Sequence, residues 1–317
     1  MKLSDVLDTT KREPHCGLCK IDFLGTNVCS AGKKHGFVAY WPEGRMELAR
    51  ALAEKEVEPT AALRDIVNSC NMCGICDRQC YFVTQRRPTH AQQALQDYLK
   101  TLPPTALKPT PEDDIVKGLR AIVGESWATN DPVIIASYQR SIIKQKSKGK
   151  YYIVMPKTTD EIVAIVNLAN THKIPYLPRG NGTFFGVALQ TLLAEPATIE
   201  QGIIIDMWRM KELEVDPESI TATIGPGVTS FELQKAAHVH NLRAKKKKKK
   251  MSRRLNPVSL RTPRIWGSSP PGVTPTDGGQ IISSTLNLLT PPAPSNISVT
   301  KRFRIPMQRN KVFSVSL

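Results

Sequence analysis

The sequence predicts an α+β / α/β protein: a mostly helical, cysteine-bearing module first, then a domain of alternating strands and helices. Three observations predict it. All seven cysteines lie between Cys16 and Cys80 of the 317-residue chain. The stretches flanking them carry apolar residues at helical spacing. From residue 151 onward, short apolar runs alternate with helical segments of about ten residues, the pattern of an α/β sheet.

The first part, residues 1–110, is organised by its cysteines. Four fall in the run Cys70, Cys73, Cys76 and Cys80, which is C-x2-C-x2-C-x3-C, the bacterial-ferredoxin spacing for an iron–sulfur cubane. Thiolates are the soft ligands such clusters require, and short spacings let one turn of chain wrap a cluster. Tyr81 stands where a proline usually follows the fourth cysteine. A looser set precedes the run: Cys16, Cys19 and Cys29. The last cysteine of such a run commonly ligates the other cluster of a pair. On that logic Cys70, Cys73 and Cys76 hold one cluster, and Cys80 joins Cys16, Cys19 and Cys29 on another. Two full cubanes need eight ligands, and the chain has seven cysteines. The alternatives are a non-thiolate or partner-supplied ligand, a cluster lacking one iron, or a single [4Fe-4S] cluster on Cys70 to Cys80. Zinc favours paired C-x2-C knuckles, which Cys16 and Cys19 alone would satisfy, and disulfides need an oxidising compartment. Three cysteines within seven residues fit a cubane better. His15 and His35 border the early set as lesser candidates.

Around the cysteines, Met46, Leu48, Ala49 and Leu52 predict a helix over Arg45–Lys55. Ala61–Val67 leads helically into Cys70, and Thr89–Leu99 reads as a further helix. The result is a ferredoxin-like helical module. Residues 102–111 are rich in proline and read as a stiff, extended linker.

The second part, residues 111–244, opens with a helix over Asp113–Val123. Strand Tyr151–Val154, helix Thr159–Ala169 and strand Ile174–Leu177 follow. After a glycine-rich turn come strands Ile203–Met207 and Ile220–Ile224 and helix Ser230–His238. The turn, Pro178, Arg179, Gly180, Asn181, Gly182 and Thr183, with Gly186 beyond, suits a phosphate cradle: glycines let successive backbone N–H groups converge on an anion. It matches neither of the common nucleotide-loop motifs, and a glycine-rich loop after a strand is by itself often only a turn. Gly225, Pro226, Gly227 and Val228 form a second tight turn between strand and helix.

Taken together and in order, these stretches resemble the FAD-binding domain of the FAD-linked oxidases, the superfamily of vanillyl-alcohol oxidase, D-lactate dehydrogenase and the glycolate oxidase flavoprotein subunit. The resemblance runs from about Asp113 to Arg243. It implies that the loop from Pro178 through Thr183, with Gly186, wraps the FAD pyrophosphate chiefly through backbone amides, and that Gly225 to Val228 line the cofactor. Asn181 stands where a third consecutive glycine is common and is expected to tolerate the same left-handed backbone. No histidine lies between His172 and His238, so FAD is expected to be noncovalent. Catalytic residues of that superfamily belong to a later substrate-binding domain, and none is identified here.

The formal charge of +16 raises the question of nucleic acid. Its distribution argues against one. Residues 245–317 hold 15 Lys/Arg and one acid, Asp277, while the other 29 basic and 27 acidic residues balance to +2. The third part, residues 245–317, begins with six lysines, Lys245 to Lys250, and is dense in Pro, Ser, Thr and Arg. A lysine run can be encoded by an adenine tract, where polymerases slip. The expectation is a truncated chain, frameshifted after about residue 244. A disordered basic tail is the plainer alternative; a nucleic-acid or membrane-binding arm lacks an aromatic platform or motif.

The N-terminus shows no apolar core of a signal peptide, and no window approaches a membrane span. A cytoplasmic protein is expected, in keeping with reduced thiols. The resemblance implies a dehydrogenase that takes electrons from a small organic acid or alcohol, a 2-hydroxy acid by default. They would pass through FAD to one or two [4Fe-4S] clusters and on to a redox partner or acceptor. A non-catalytic electron-transfer or scaffold subunit is the alternative, and a zinc-binding nucleic-acid module a distant third.

Overall fold

A computed structural model describes residues 1–139, 149–182, 199–244 and the backbone of strand 303–309. The chain forms two compact units, Met1–Arg209 and Met210–Leu317. The first thus joins the cysteine module to the opening of the α/β part.

In the first unit, helices α1 (Leu7–Lys11), α2 (Ser30–His35), α3 (Pro42–Ala53), α4 (Ala61–Asn68), α5 (Ile75–Thr84) and α6 (Pro88–Thr101) build the cysteine module. Both α3 and α6 begin earlier than apolar periodicity suggests, because Pro42 and Pro88 sit at their first turns after extended residues. Proline's fixed φ suits that position, where its missing N–H has no intrahelical partner to lose. Helix α3 is buried along nearly its whole length, charged residues included. Its charges are paired: Glu43 with Lys20, and Glu47 with His15 and Arg50. Helix α5 is not legible from apolar spacing, because cysteines, Asp77, Arg78 and Gln79 occupy much of it. The proline-rich stretch is not wholly extended: Pro104–Ala106 forms a 3-10 turn, and Lys108 bridges to Thr60.

Helix α7 (Asp114–Val123) is capped by the Asp113 carboxylate, which accepts from the Val116 N–H at 3.0 Å. A short helix, α8 (Pro132–Ala136), follows. Strands β1 (Ala128–Thr129), β2 (Tyr151–Val154), β3 (Tyr176–Arg179) and β4 (Gly202–Asp206) make one sheet in the order β1-β2-β4-β3. The last three are parallel and β1 runs antiparallel at the edge. Both β2 and β4 are buried throughout, which explains the apolar sequence of β2 and of Ile203–Ile205. Helix α9 (Thr159–Thr171) makes the β2–β3 crossover, started by a Thr158/Glu161 capping box. Strand β3 begins two residues later than expected because the Ile174 N–H still bonds the Ala169 carbonyl at the helix end.

In the second unit, β5 (Leu213–Asp216), β6 (Thr221–Ile224), β7 (Leu242–Ala244) and β8 (Phe303–Arg309) form an antiparallel sheet in the order β5-β6-β8-β7. Helix α10 (Ser230–Val239) packs Leu233 and Ala237 with Ala222, Val228 and Leu242. One stretch of the basic tail, β8, therefore supplies a strand. The rest of the tail, Lys245 to Lys250 included, lies outside the described residues. No helix among the described residues is long and apolar enough to cross a membrane.

Candidate functional site

The cysteines fall into two sets. Helix α5 starts at Ile75, which places Cys76 and Cys80 one helical turn apart. Met72 and Gly74, at φ 57° and 74°, bend the chain that carries Cys70 and Cys73 towards it. Burial, with Asp77 and then Cys29, Cys70 and Cys73, raises the Cys76 thiol pKa. Burial pushes Cys16 up to about 12, with Glu13, Glu43 and Cys80 adding to it. Burial likewise pushes Cys80 up to about 11, against a hydrogen bond with Thr84 at 3.0 Å. Cys19 is raised well above the thiol range by burial, then by Glu43, and Cys16 adds to this. One set is thus Cys16, Cys19 and Cys80; the other is Cys29, Cys70, Cys73 and Cys76. Cys29, expected with Cys16, Cys19 and Cys80, stands instead with Cys76 of the later run, while Cys80 lines the pocket with Cys16 and Cys19.

The frame around these thiols is polar and specific. Gln79 donates to the carbonyls of Ile21 and Asn27 at 3.2 and 3.1 Å, pinning the early loop to α5 between its two cysteines. Arg45 reaches Cys29 Sγ at 3.6 Å while also donating to Ser69 Oγ at 2.9 Å. Cys16, Cys19 and Cys80 line a small, open pocket. Glu13 and Glu43 line it too. Among the described residues, no three His, Cys, Asp or Glu side chains close on a point as a metal ion requires. A cubane is a larger body, and its four irons spread their thiolates more widely than one ion does. Buried thiolates of like charge repel; a bound cation reverses that balance and keeps a coordinating thiol deprotonated. The two cysteine sets fit a cluster in the chemistry of their donors.

The glycine-rich loop leaves the sheet at the carboxyl end of β3, where ligands gather in parallel α/β sheets. Pro178 and Arg179 are its last strand residues, and Arg179 lies in register with Asp206 at the end of β4. Their side chains form a buried ion pair at 2.7 Å. Tyr138 donates to the same carboxylate at 3.0 Å and accepts from the Val38 N–H at 3.3 Å. Burial works against charge on Arg179, and Asp206, Tyr138 and Glu43 more than offset it. The guanidinium is therefore a brace beneath the loop rather than a free anion ligand.

Gly182, rather than Asn181, takes the left-handed backbone, at φ 65°. A Cβ there would collide with Arg179 Nη2, so the loop closes over its brace only with glycine. Gly180 and Asn181 are buried. The Asn181 side chain, 6% exposed, has no hydrogen-bond partner for either its Oδ1 or its Nδ2. An amide in that state is costly unless a ligand satisfies it. This suits a cofactor seated on the loop. Thr183 and Gly186 lie outside the described residues.

The second unit contributes a turn of another kind. The Gly225 N–H bonds the Glu212 carbonyl at 2.7 Å, Gly227 bonds Met210 at 3.0 Å and Val228 bonds Gly225 at 3.1 Å. Pro226 has no N–H. These amides are already committed, so any cofactor contact from this turn comes through packing or carbonyl groups.

Several residues of the site belong to no motif: Lys20, Glu43, Tyr138, Arg45 and Glu13. Asp206 does leave a signal, an acid ending the wholly apolar run Ile203–Ile205.

Residues 151–247 match the family described as FAD binding domain. The chain is 34% identical over 102 residues to the D-lactate dehydrogenase of Archaeoglobus fulgidus, spanning 32% of this chain and 21% of that protein. It is 32% identical over 91 residues to the glycolate oxidase subunit GlcD of Bacillus subtilis, 28% of this chain and 18% of that protein. A third relative, the UDP-N-acetylenolpyruvoylglucosamine reductase of Staphylococcus saprophyticus, is 30% identical over 132 residues, 41% of this chain and 38% of that protein. The chain thus spans about a fifth of the length of the first two relatives.

Proposed function

We propose that the chain is the electron-handling part of an FAD- and iron–sulfur-dependent oxidoreductase that oxidises a small organic acid or alcohol, a 2-hydroxy acid by default. The observation that carries this reading is the union, in one compact unit, of two cysteine sets with the braced glycine-rich loop of an FAD-binding domain. The relatives named for D-lactate and glycolate support the substrate class. FAD, when bound, accepts two electrons from substrate and releases them singly, which is the chemistry a cluster needs upstream. The chain's own residues do the positioning. Backbone at Gly180 to Gly182 and the Asn181 amide receive the pyrophosphate region. The Arg179–Asp206–Tyr138 group holds the loop on the sheet. By the family resemblance Thr183 and Gly186 are further FAD contacts, as are Gly225 to Val228 of the second unit. Cys16, Cys19, Cys29, Cys70, Cys73, Cys76 and Cys80 hold two clusters that lead electrons to an acceptor protein. FAD is noncovalent and the protein works in the cytoplasm.

The test is anaerobic titration of the purified chain, loaded with FAD, iron and sulfide, with D-lactate and with glycolate. The flavin band bleaches, and cluster absorbance falls after it. A chain that retains flavin and clusters but is reduced only by dithionite is an electron-transfer subunit rather than the complete dehydrogenase. A chain that binds no flavin overturns the reading.

A further inference from the structure

The set of Cys16, Cys19 and Cys80 has three thiols where a four-iron cluster takes four protein ligands. The carboxylates and imidazole around this pocket differ in what already binds them. Glu43 lines it but is bound to Lys20 at 2.7 Å. His15 turns its Nε2 to Glu47 at 3.2 Å and is not among the lining residues. Asp22 stands three residues after Cys19, where a third cysteine of a C-x2-C-x2-C run would fall. Its Oδ1, however, accepts from the Asn27 N–H at 2.8 Å, and it does not line the pocket. Glu43 Oε1 also lacks a hydrogen bond but is ion-paired with Lys20, whereas no ion pair among the described residues engages Glu13. Glu13 is 8% exposed, lines the pocket with the three thiols, and its Oε2 has no hydrogen-bond partner. Its backbone is fixed by a bond from its N–H to the Thr10 carbonyl at 3.1 Å, at the end of α1.

A buried carboxylate oxygen without a donor is costly, and a cation facing it removes the cost. Iron accepts carboxylate as well as thiolate ligands. We infer that the Glu13 carboxylate is the fourth protein ligand of the cluster held by Cys16, Cys19 and Cys80. The inference rests on the iron–sulfur reading above. It completes the count of eight ligands: Cys29, Cys70, Cys73 and Cys76 on one cluster, Cys16, Cys19, Cys80 and Glu13 on the other. The single oxygen ligand makes one iron of the second cluster chemically distinct from its three neighbours, and the most easily lost.

The experiment is Mössbauer and EPR spectroscopy of the full chain, reconstituted anaerobically with iron and sulfide, as wild type, Glu13→Ala and Glu13→Cys. The wild type holds about eight irons, as two four-iron clusters. Glu13→Ala holds about seven, and on oxidation shows the EPR signal of a three-iron cluster beside one intact cubane. Glu13→Cys restores the second cubane with four equivalent thiolate sites. The cluster on Cys29, Cys70, Cys73 and Cys76 persists in every variant and reports that the module is folded. Two four-iron clusters retained in Glu13→Ala overturn the assignment of Glu13 alone. So does a three-iron cluster already present in the wild type and unchanged by the substitution. A wild-type chain that takes up zinc but no iron and sulfide overturns the cluster reading, and the ligand assignment with it.

Discussion

The Lys20 ammonium donates to the backbone carbonyl of Asn181 at 3.5 Å, joining the residue next to Cys19 to the glycine-rich loop 161 positions away. The same ammonium pairs with Glu43 at 2.7 Å, and both side chains are almost wholly buried. Burial would raise the Glu43 carboxyl, and Lys20 and Arg179 hold it below its ordinary range instead. One buried cation thus ties the cysteine module to the loop.

Lys20→Met leaves the Glu43 charge buried without its closest partner. Removing one member of such a pair costs about 3–5 kcal/mol. Urea unfolding is expected to show that loss, and Lys20→Met/Glu43→Leu to recover most of it. A single variant as stable as wild type would show that the pair contributes little.

Gly182→Ala forces an L-residue into the left-handed region, costing about 1–2 kcal/mol, and drives a methyl group into the Arg179 guanidinium. The flavin-to-protein ratio after gel filtration is expected to drop severalfold, with a smaller fall in Tm. Gly180→Ala, free of a positive φ, serves as the comparison.

Much of the local structure is open to reading from sequence, and the tertiary roles are not. The bounds of α7, α9 and β2 are close to those that apolar period and capping residues suggest. The cysteine run announces itself through its C-x2-C-x2-C-x3-C spacing. Gly182 stands in a legible loop, but its need for glycine comes from Arg179 folding back beneath it. Lys20, Glu43 and Tyr138 carry no motif; their roles come from burial among distant elements, which no local window records. The company of Cys29 is tertiary information of the same kind.

Stability should also depend on acid through Glu47. Burial would raise its carboxyl, yet hydrogen bonds from His15 and Arg50 hold it below its ordinary range. A folded-state pKa below the unfolded value gives stability that is full above the unfolded value and fades as pH falls through the folded one. Urea midpoints from about pH 7 down to about pH 3 are expected to decline less steeply in Glu47→Gln than in wild type, from a lower starting value. Equal slopes would remove Glu47 from the acid limb.

Arg45 places a positive charge and an N–H against Cys29 Sγ. Both favour the more negative, reduced state of a cluster ligated there, since hydrogen bonds to sulfur and net charge set cluster potentials. Redox titration followed by EPR is expected to find one cluster shifted to lower potential in Arg45→Leu and the other unmoved. Two clusters shifting equally would contradict the division of the cysteines into separate sets.

The union of flavin and clusters on one chain is tested most directly by the iron, acid-labile sulfide, zinc and FAD content of the purified full chain after anaerobic loading. The expected result is about eight irons with matching sulfide, no stoichiometric zinc, and about one FAD per chain. Zinc without sulfide, or clusters without flavin under saturating FAD, would contradict it.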